Sequence, residues 1–410
     1  MLILLNYSGK LDGSVTPDSR EYIWLAQNFT GSYGLTGSIN PYLSLRRTPI
    51  YPLFLSIFSQ GNGLLSSLLV QQLLSVGIAC LTWLLARKLY TEKIAWISTF
   101  LVAIETALLS SSFMILSETL FTFLFLAGIV TFVYAENSHS RLVYYTLSGL
   151  LFGLSSLTRP IGIAIIIIIV LHILMSKDSK RLESFIAIFV TLTLIIAWSL
   201  RSFVSFGIFD VSSIQSHNLH LFEGSGARAY RLGIPLDEVH ALESDLMKRT
   251  LGDNFTLEEE QKYRTTRGLN LIFNNFPWFI QMHIIGAVKL LIGPGQGDSL
   301  SFLTSGKVFV ATNVWHFLLL GLLLTVTLSI FLMATVGIYK RAREQQPIVL
   351  VSLLVIIVIS SGIQAYARFR APIAPLLCIF AAAGIYELLK RLWAVPEMAR
   401  FKGFWNNILN

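Results

Sequence analysis

Several arginines in this sequence stand where cations are unusual. Arg159 lies in SSLTRPIGIAI, and Arg368 and Arg370 lie in YARFRAPIAPLL. Each falls in a turn so short, between apolar runs, that its side chain must sit at the level of a membrane surface. Guanidinium groups grip phosphate oxygens in a fixed two-pronged geometry, so an anionic lipid headgroup would account for several of them at once. Arg46 and Arg47 precede IYPLFLSIF. They read either as partners of the same headgroup or as interfacial anchors whose stems lie along apolar surface. Tyr51 stands between Pro49 and Pro52, whose fixed φ gives the following apolar run a rigid entry.

Three carboxylates accompany these cations. Asp18 lies in TPDSREYIWLAQN, where Tyr22, Leu25, Ala26 and Phe29 recur at helical spacing, so Asp18 and Ser19 mark a helix start. Either residue is a suitable helix cap. Glu21 follows three residues after Asp18, on the same helix face. Glu118, in SSFMILSETLFTFLFL, opens another helix, where the macrodipole favours an acid. All three are hard oxygen ligands, so a divalent metal is a possible cofactor, but nothing in their spacing specifies one. Glu105 falls inside an apolar run, where an acid is either functional or paired with a polar neighbour. His217 and His220, in SHNLHLF, read as ligands or as packed loop residues.

The elements that must position these groups are membrane spans. The chain has 410 residues, 54% of them hydrophobic and 13% charged, half the charge of ordinary soluble domains. Its mean hydropathy is +0.66. Apolar runs predict spans at about 64–86, 94–112, 117–134, 143–158, 160–175, 184–204, 312–338, 348–364 and 371–390. The fold class is therefore an all-α polytopic integral membrane protein with about nine transmembrane helices. The pair at 143–158 and 160–175 is parted only by Arg159 and Pro160, and is read as two short helices.

Basic residues orient the array. Arg87, Lys88 and Lys93, then Lys177, Lys180 and Arg181, then Lys340, Arg341 and Arg343, with the tail at Lys390, Arg391, Arg400 and Lys402, fall on one side under alternate crossing. That side is cytoplasmic by the positive-inside bias. The first loop (1–63), the short turns holding Glu118, Arg159 and Arg368, and the long loop 205–311 then face outward. The net charge of +8 is absorbed by the cytoplasmic loops, and the long loop is near neutral, so no nucleic-acid surface is implied. In that loop Thr256–Glu259 fits a capping box ahead of a helix to about Phe273, and PWFIQMHIIGAVKLLIG is amphipathic enough to lie in the interface. MLILLNYSGK is too short in apolar length for a span, so either the chain starts outside the membrane or a preceding span is missing. Cys80 and Cys378 lie in apolar runs and read as packing residues.

The order D-S-x-x-Y-x-x-L-A, R-x-P-x-Y-P-L-F-L, S-E-T-L-F, L-T-R-P and R-F-R-x-P-x-x-P resembles the dolichyl-phosphate-mannose-protein mannosyltransferase-like family, which includes the aminoarabinose transferases and belongs to the C-type glycosyltransferases (GT-C). The likeness runs over about residues 15–390. It implies transfer of a sugar from a polyprenyl-phosphate donor to a protein, lipid or glycan acceptor at the outer face of a plasma membrane. By the same resemblance Asp18 is the catalytic carboxylate and Arg159, Arg368 and Arg370 hold the donor phosphate. From the residues themselves, Glu21 and Glu118 are expected to assist Asp18, Arg46 and Arg47 to join the phosphate contacts, and Tyr51 to contact substrate. The chain departs from the family in having Ser19 after Asp18 where many members have a second acid, and in lacking a span before the first loop. Two other readings remain: a transporter of lipid-linked saccharides, and a non-catalytic relative in a glycan-assembly complex.

Overall fold

Helix-starting signals and apolar runs set most of the architecture. The computed structural model describes residues 14–30, 40–59, 63–176, 181–293, 314–340, 347–363, 365 and 367–392, and their regular structure is helical throughout. The expectations for the first residues, for Lys177, Lys180, Arg341 and Arg343, and for the tail beyond Leu392 lie outside the described residues. Three short helices lead in: α1 (Pro17–Gln27), α2 (Pro41–Arg46) and α3 (Ile50–Phe58). The first membrane set is α4 (Leu64–Leu89), α5 (Glu92–Ile104), α6 (Thr106–Ser112), α7 (Glu118–Ala135), α8 (Arg141–Ser156), α9 (Ile165–Met175) and α10 (Phe185–Phe206). The long loop folds into α11 (Ile214–Asn218), α12 (Ser225–Leu232), α13 (Leu236–Leu251), α14 (Leu257–Asn274) and α15 (Phe276–Ile292). Three last helices follow: α16 (Val314–Lys340), α17 (Pro347–Ser360) and α18 (Ala374–Leu392).

Among the described residues four stretches are long and apolar enough to cross a membrane: Leu64–Leu89, Glu118–Ala135, Arg181–Phe206 and Val314–Lys340. Two bent pairs bring the number to as many as six: α5 with α6, bent by 55°, and α14 with α15, bent by 94°. The expectation was about nine. Pro160–Met175 and Ile348–Ser360, also among the expected spans, are apolar helices of under 18 residues. The stretch expected at 94–112 is interrupted at Glu105, whose carboxylate caps α6 through the Leu108 N–H at 2.9 Å. Around Arg159–Pro160 the chain yields two short helices, as the proline requires.

Helix α7 is the centre of the bundle. Its Phe121 stacks on Phe125, Phe125 packs on Phe152 of α8, and one turn and more further along Phe132 meets Tyr145 of α8 edge-on. At the periphery Leu73, Phe189 and Trp315 stand well exposed, an arrangement suited to lipid and not to water. Helices α16 and α18 cross with their backbones in contact at Gly337 and Gly384, where a Cβ on either would strike the other helix. In the long loop, Thr256 and Glu259 form the expected capping box and α14 runs one residue past the expected end. Glu243, fully buried, joins α12, α13 and α14 by accepting hydrogen bonds from Arg228 and from Arg267 at 2.7 and 2.9 Å, with His220 at 3.2 Å. Burial alone would raise its pKa, but His220 and the two arginines hold it down at about 2. His220 is thereby a packed loop residue.

Candidate active site

The site begins with a helix cap. Thr16 is the N-cap of α1: its hydroxyl accepts from the Ser19 N–H at 3.2 Å, and the Ser19 hydroxyl accepts from the Thr16 N–H at 2.9 Å. Pro17 explains the choice, because proline prefers the first helical position and so places the cap one residue earlier. This corrects the reading of Asp18 or Ser19 as the cap. Ser19 closes the capping box from N3, and the Asp18 carboxylate is left unused by the helix.

Tyr22 and Leu25, one turn apart, then bury against α3. Tyr22 meets Tyr51 edge-on at 4.8 Å, in a cluster with Phe54, Leu55 and Ile115. Tyr51 is fully buried; its hydroxyl donates to Gln71 at 2.7 Å, and Gln71 donates to the Met114 carbonyl at 2.8 Å. The substrate contact expected of Tyr51 is therefore not what its placement offers. Shut away under the site, it ties α1 and α4 to the turn before Glu118. Between α2 and α3 the chain is extended and pinned: the Thr48 hydroxyl donates to the Thr158 carbonyl at 2.9 Å, and the Ile50 N–H to Leu157 at 3.1 Å. Arg47 is thus brought to the same end of the bundle as Arg159.

There the charged side chains form one connected row. Arg159 meets Glu118 at 2.6 Å, and Arg368 lies 3.9 Å from Glu118 and 3.3 Å from Asp18. Asp18 takes a hydrogen bond from Arg47 at 2.7 Å; Arg47 also donates to Glu21 at 2.6 Å, and Arg46 ends the row 3.5 Å from Glu21. Of the acids Asp18 is the most open, with 37% of its side chain accessible against 2% for Glu118, so it is the one a substrate can reach. Burial pulls the Asp18 pKa up, but Arg47, Arg368 and the more distant Arg159 outweigh it and hold the carboxyl below its ordinary value. Asp18 is an anion at neutral pH.

Arg370 is elsewhere. Although it belongs with Arg368 to the 3-10 turn Ala367–Arg370, it is 2% exposed and points into the bundle. Its Nε donates to Glu105 at 2.9 Å, its Nη2 to Thr106 at 3.1 Å, and its Nη1 reaches the Leu290, Leu291 and Gly293 carbonyls at 2.9, 3.2 and 3.1 Å. A guanidinium saturated by a carboxylate and a helix C-terminus has no fork left for a phosphate. The phosphate contact expected of Arg370 is corrected accordingly. The acid inside the second apolar run, Glu105, has its partner in Arg370.

Other residues at the site carried little signal in the sequence. The Tyr22 hydroxyl contacts Ser117 at 3.3 Å and Arg47 at 3.4 Å, and Ser117 also meets Arg159 at 3.3 Å. Phe369 lies under both Arg159 and Arg368, its ring centroid 5.6 and 5.1 Å from their guanidinium carbons. Its place between two arginines in R-F-R was the available clue. As to a metal, each of the three carboxylates faces an arginine, and among the described residues no three His, Cys, Asp or Glu side chains gather to hold one. The donor set does not fit a metal.

A helical membrane protein with an arginine–carboxylate row at one end of its bundle is the class this geometry defines, and its fold is that of the C-type glycosyltransferases. Residues 47–201 match the family model described as dolichyl-phosphate-mannose-protein mannosyltransferase. That stretch contains Arg47, Glu118 and Arg159; Asp18 and Arg368 lie outside it. The oligosaccharyltransferase of Archaeoglobus fulgidus, solved with a tethered acceptor peptide, is 16% identical, with a TM-score of 0.52, over 95% of this chain and 47% of that one. The same archaeal enzyme in complex with an inhibitory peptide and a dolichol-phosphate gives 15% identity and a TM-score of 0.53, over 97% and 49%. The chain therefore spans about half the length of these structures, and the likeness is one of fold. ArnT from Cupriavidus metallidurans bound to undecaprenyl phosphate, at 12% identity and covering 94% of this chain and 76% of that one, has a TM-score of 0.42, too low to argue from. No curated protein matches the chain.

Proposed function

We propose that the chain transfers a sugar from a polyprenyl-phosphate donor to an acceptor hydroxyl at the outer face of the plasma membrane, with Asp18 as general base. The observation that carries this is the state of Asp18: released from capping by Thr16, ionised, partly open to solvent, and flanked by Arg47 at 2.7 Å and Arg368 at 3.3 Å. In the reaction the acceptor oxygen bonds to the anomeric carbon as the carbon–oxygen bond to the lipid phosphate breaks. Asp18 takes the acceptor's proton, and the departing phosphate keeps the electron pair. Arg159 and Arg368 offset the charge on that phosphate, where fixed cations at a water-poor membrane surface contribute most.

The resting ion pairs support this reading. Arg368 holds Asp18 and Glu118 at 3.3 and 3.9 Å, long for a guanidinium, whereas Arg47 holds its carboxylates at 2.6–2.7 Å. The donor's phosphodiester, a monoanion, takes Arg368 more readily than Arg47, and the second charge that appears as it departs strengthens the contact. Losing that cation also raises the basicity of Asp18, so donor binding arms the base. Glu118 and Glu21 position Arg159 and Arg47, and Arg46 marks the outer end of the row. The outward orientation is supported by α4, which carries Gln71 at the site and Arg87 and Lys88 in its last turn, roughly 24 Å further along at 1.5 Å per residue.

The test is Asp18→Asn in reconstituted membranes given a labelled lipid-phosphate sugar. Since Thr16 caps α1, the change leaves melting behaviour near wild type, while loss of the base cuts turnover by about 10²–10⁴-fold. Turnover within a few-fold of wild type removes Asp18 from the chemistry. A wild-type chain that binds the lipid-phosphate sugar but turns none of it over favours the transport or scaffold reading.

A further inference from the structure

The turn that parts Arg368 from Arg370 also aims the residue between them. A 3-10 helix has three residues per turn, so Ala367 and Arg370 share one face, and both are buried. Arg370 fixes that face by its contacts inside the bundle, and the Ala371 N–H closes the turn onto the Arg368 carbonyl at 3.1 Å. Arg368 and Phe369 are left on the other two faces, both half-buried. The Phe369 ring thereby meets two cations: its own neighbour at 5.1 Å, and Arg159 from the end of α8 at 5.6 Å.

The contacts around these two arginines differ in what they leave free. Glu118 Oε1 serves both, at 2.6 Å from Arg159 and 3.9 Å from Arg368, and Asp18 lies 3.3 Å from Arg368. A carboxylate occupies the N–H groups it meets, and a single oxygen between two guanidiniums offsets their repulsion incompletely. An aromatic ring is different. Its negative face attracts a cation but offers no lone pair in competition, so the N–H groups stay available for an oxygen. A phosphate that draws Arg368 from Asp18 and Glu118 frees it from both acids and not from the ring. Without the ring, a long side chain would have to be ordered at the moment the phosphate is gripped, which weakens binding.

We propose that Phe369 is a positioning residue for the donor phosphate: its ring holds Arg159 and Arg368 together with their N–H groups free for one anion. The inference rests on the transfer reading above for the identity of that anion. Phe369 acts through the arginines and touches no reacting atom.

The experiment measures binding of bare polyprenyl phosphate to the purified full chain in detergent, beside melting of the same samples. Phe369→Leu keeps an apolar side chain and removes the ring face; Phe369→Tyr keeps the face. Two ring contacts at a partly desolvated site support a loss of about tenfold in Phe369→Leu, with the melting temperature unchanged. Phe369→Tyr should bind within about twofold of wild type. If Phe369→Leu melts early, Phe369→Met, whose unbranched chain refills irregular space, carries the test. The proposal is overturned by wild-type binding in the apolar variant, or by equal loss in Phe369→Leu and Phe369→Tyr. Early melting of both apolar variants also overturns it, since the ring then serves to pack the turn. Asp18→Asn keeps the transfer reading separate. Full turnover in that variant sinks the transfer reading and leaves Phe369 to stand or fall on phosphate binding. A dead Asp18→Asn beside unchanged binding in Phe369→Leu sinks the ring alone.

Discussion

Arg368 and Arg370 stand two residues apart in one 3-10 turn, yet they end in opposite circumstances. Arg370 is enclosed, with Glu105, Thr106 and the carbonyls at the end of α15 around its guanidinium. Arg368 sits at the edge of the bundle, reaching Asp18 and Glu118 at 3.3 and 3.9 Å. One pair of opposite charges is closed and structural; the other is open, long and exchangeable. Residue type and spacing are the same for both. What separates function from architecture here is how completely the partner groups saturate the fork.

The largest expected effect comes from breaking the closed pair. Arg370→Met strands Glu105 inside the bundle, and removal of one partner of a buried pair costs about 3–5 kcal/mol. Arg370→Met with Glu105→Gln removes both charges and keeps an oxygen for the α6 cap, so it recovers part of that loss. Melting in detergent reads both variants, and donor binding per folded molecule stays near wild type. Intact stability with lost donor binding in Arg370→Met would reverse the comparison.

A third carboxylate sharpens it. Glu223, in the π-helical turn Leu219–Gly224, lies in the loop region with His283 at 3.4 Å. Burial raises its pKa from 4.5 to about 7, the opposite direction to Asp18. The sign follows: between pH 4.5 and 7 the unfolded chain releases this proton while the folded chain keeps it, so stability falls as pH rises. Glu223→Gln abolishes that titration. Its melting temperature relative to wild type should climb from pH 4.5 to 7 and level off above, reaching the equivalent of up to about 3 kcal/mol. A flat difference across that range would mean Glu223 is ionised in the fold, and that some cation offsets its burial.

The sequence made some of this legible and hid the rest for physical reasons. Hydropathy revealed the membrane helices, Thr256–Glu259 announced its capping box, and Arg159–Pro160 marked a break, because each signal is local. T-P-D-S also held its answer: three residues there can cap, and Pro17 decides for Thr16. Arg370 could not be resolved in this way, since Glu105 is 265 residues away. The burial of Tyr51, locked through Gln71 to the Met114 carbonyl, likewise depends on helices meeting in the folded bundle. Local rules name the capable residues; only tertiary packing says which remain available.

The smallest expected effect bears on the open pair itself. Arg368→Lys keeps the cation beside Asp18 but replaces the planar fork with a single ammonium. At a partly solvated site the exchange changes stability by less than about 1 kcal/mol, as for other exposed ion pairs. A phosphate gripped by two N–H groups feels more: polyprenyl phosphate binding should weaken about tenfold, equivalent to roughly 1.4 kcal/mol. Arg159→Lys should behave similarly, though Glu118, at 2.6 Å and 2% exposed, holds that position more firmly and adds a folding cost. Because these are charge contacts near water, the wild-type affinity should fall with added salt, and Arg368→Lys should fall in parallel, since its net charge is unchanged. Wild-type donor binding in both lysine variants would make Arg159 and Arg368 anchors of the bundle, of the same kind as Arg370. Weakened binding at constant melting temperature in Arg368→Lys, and lost melting temperature at constant binding in Arg370→Met, would separate two arginines that the sequence presents as a pair.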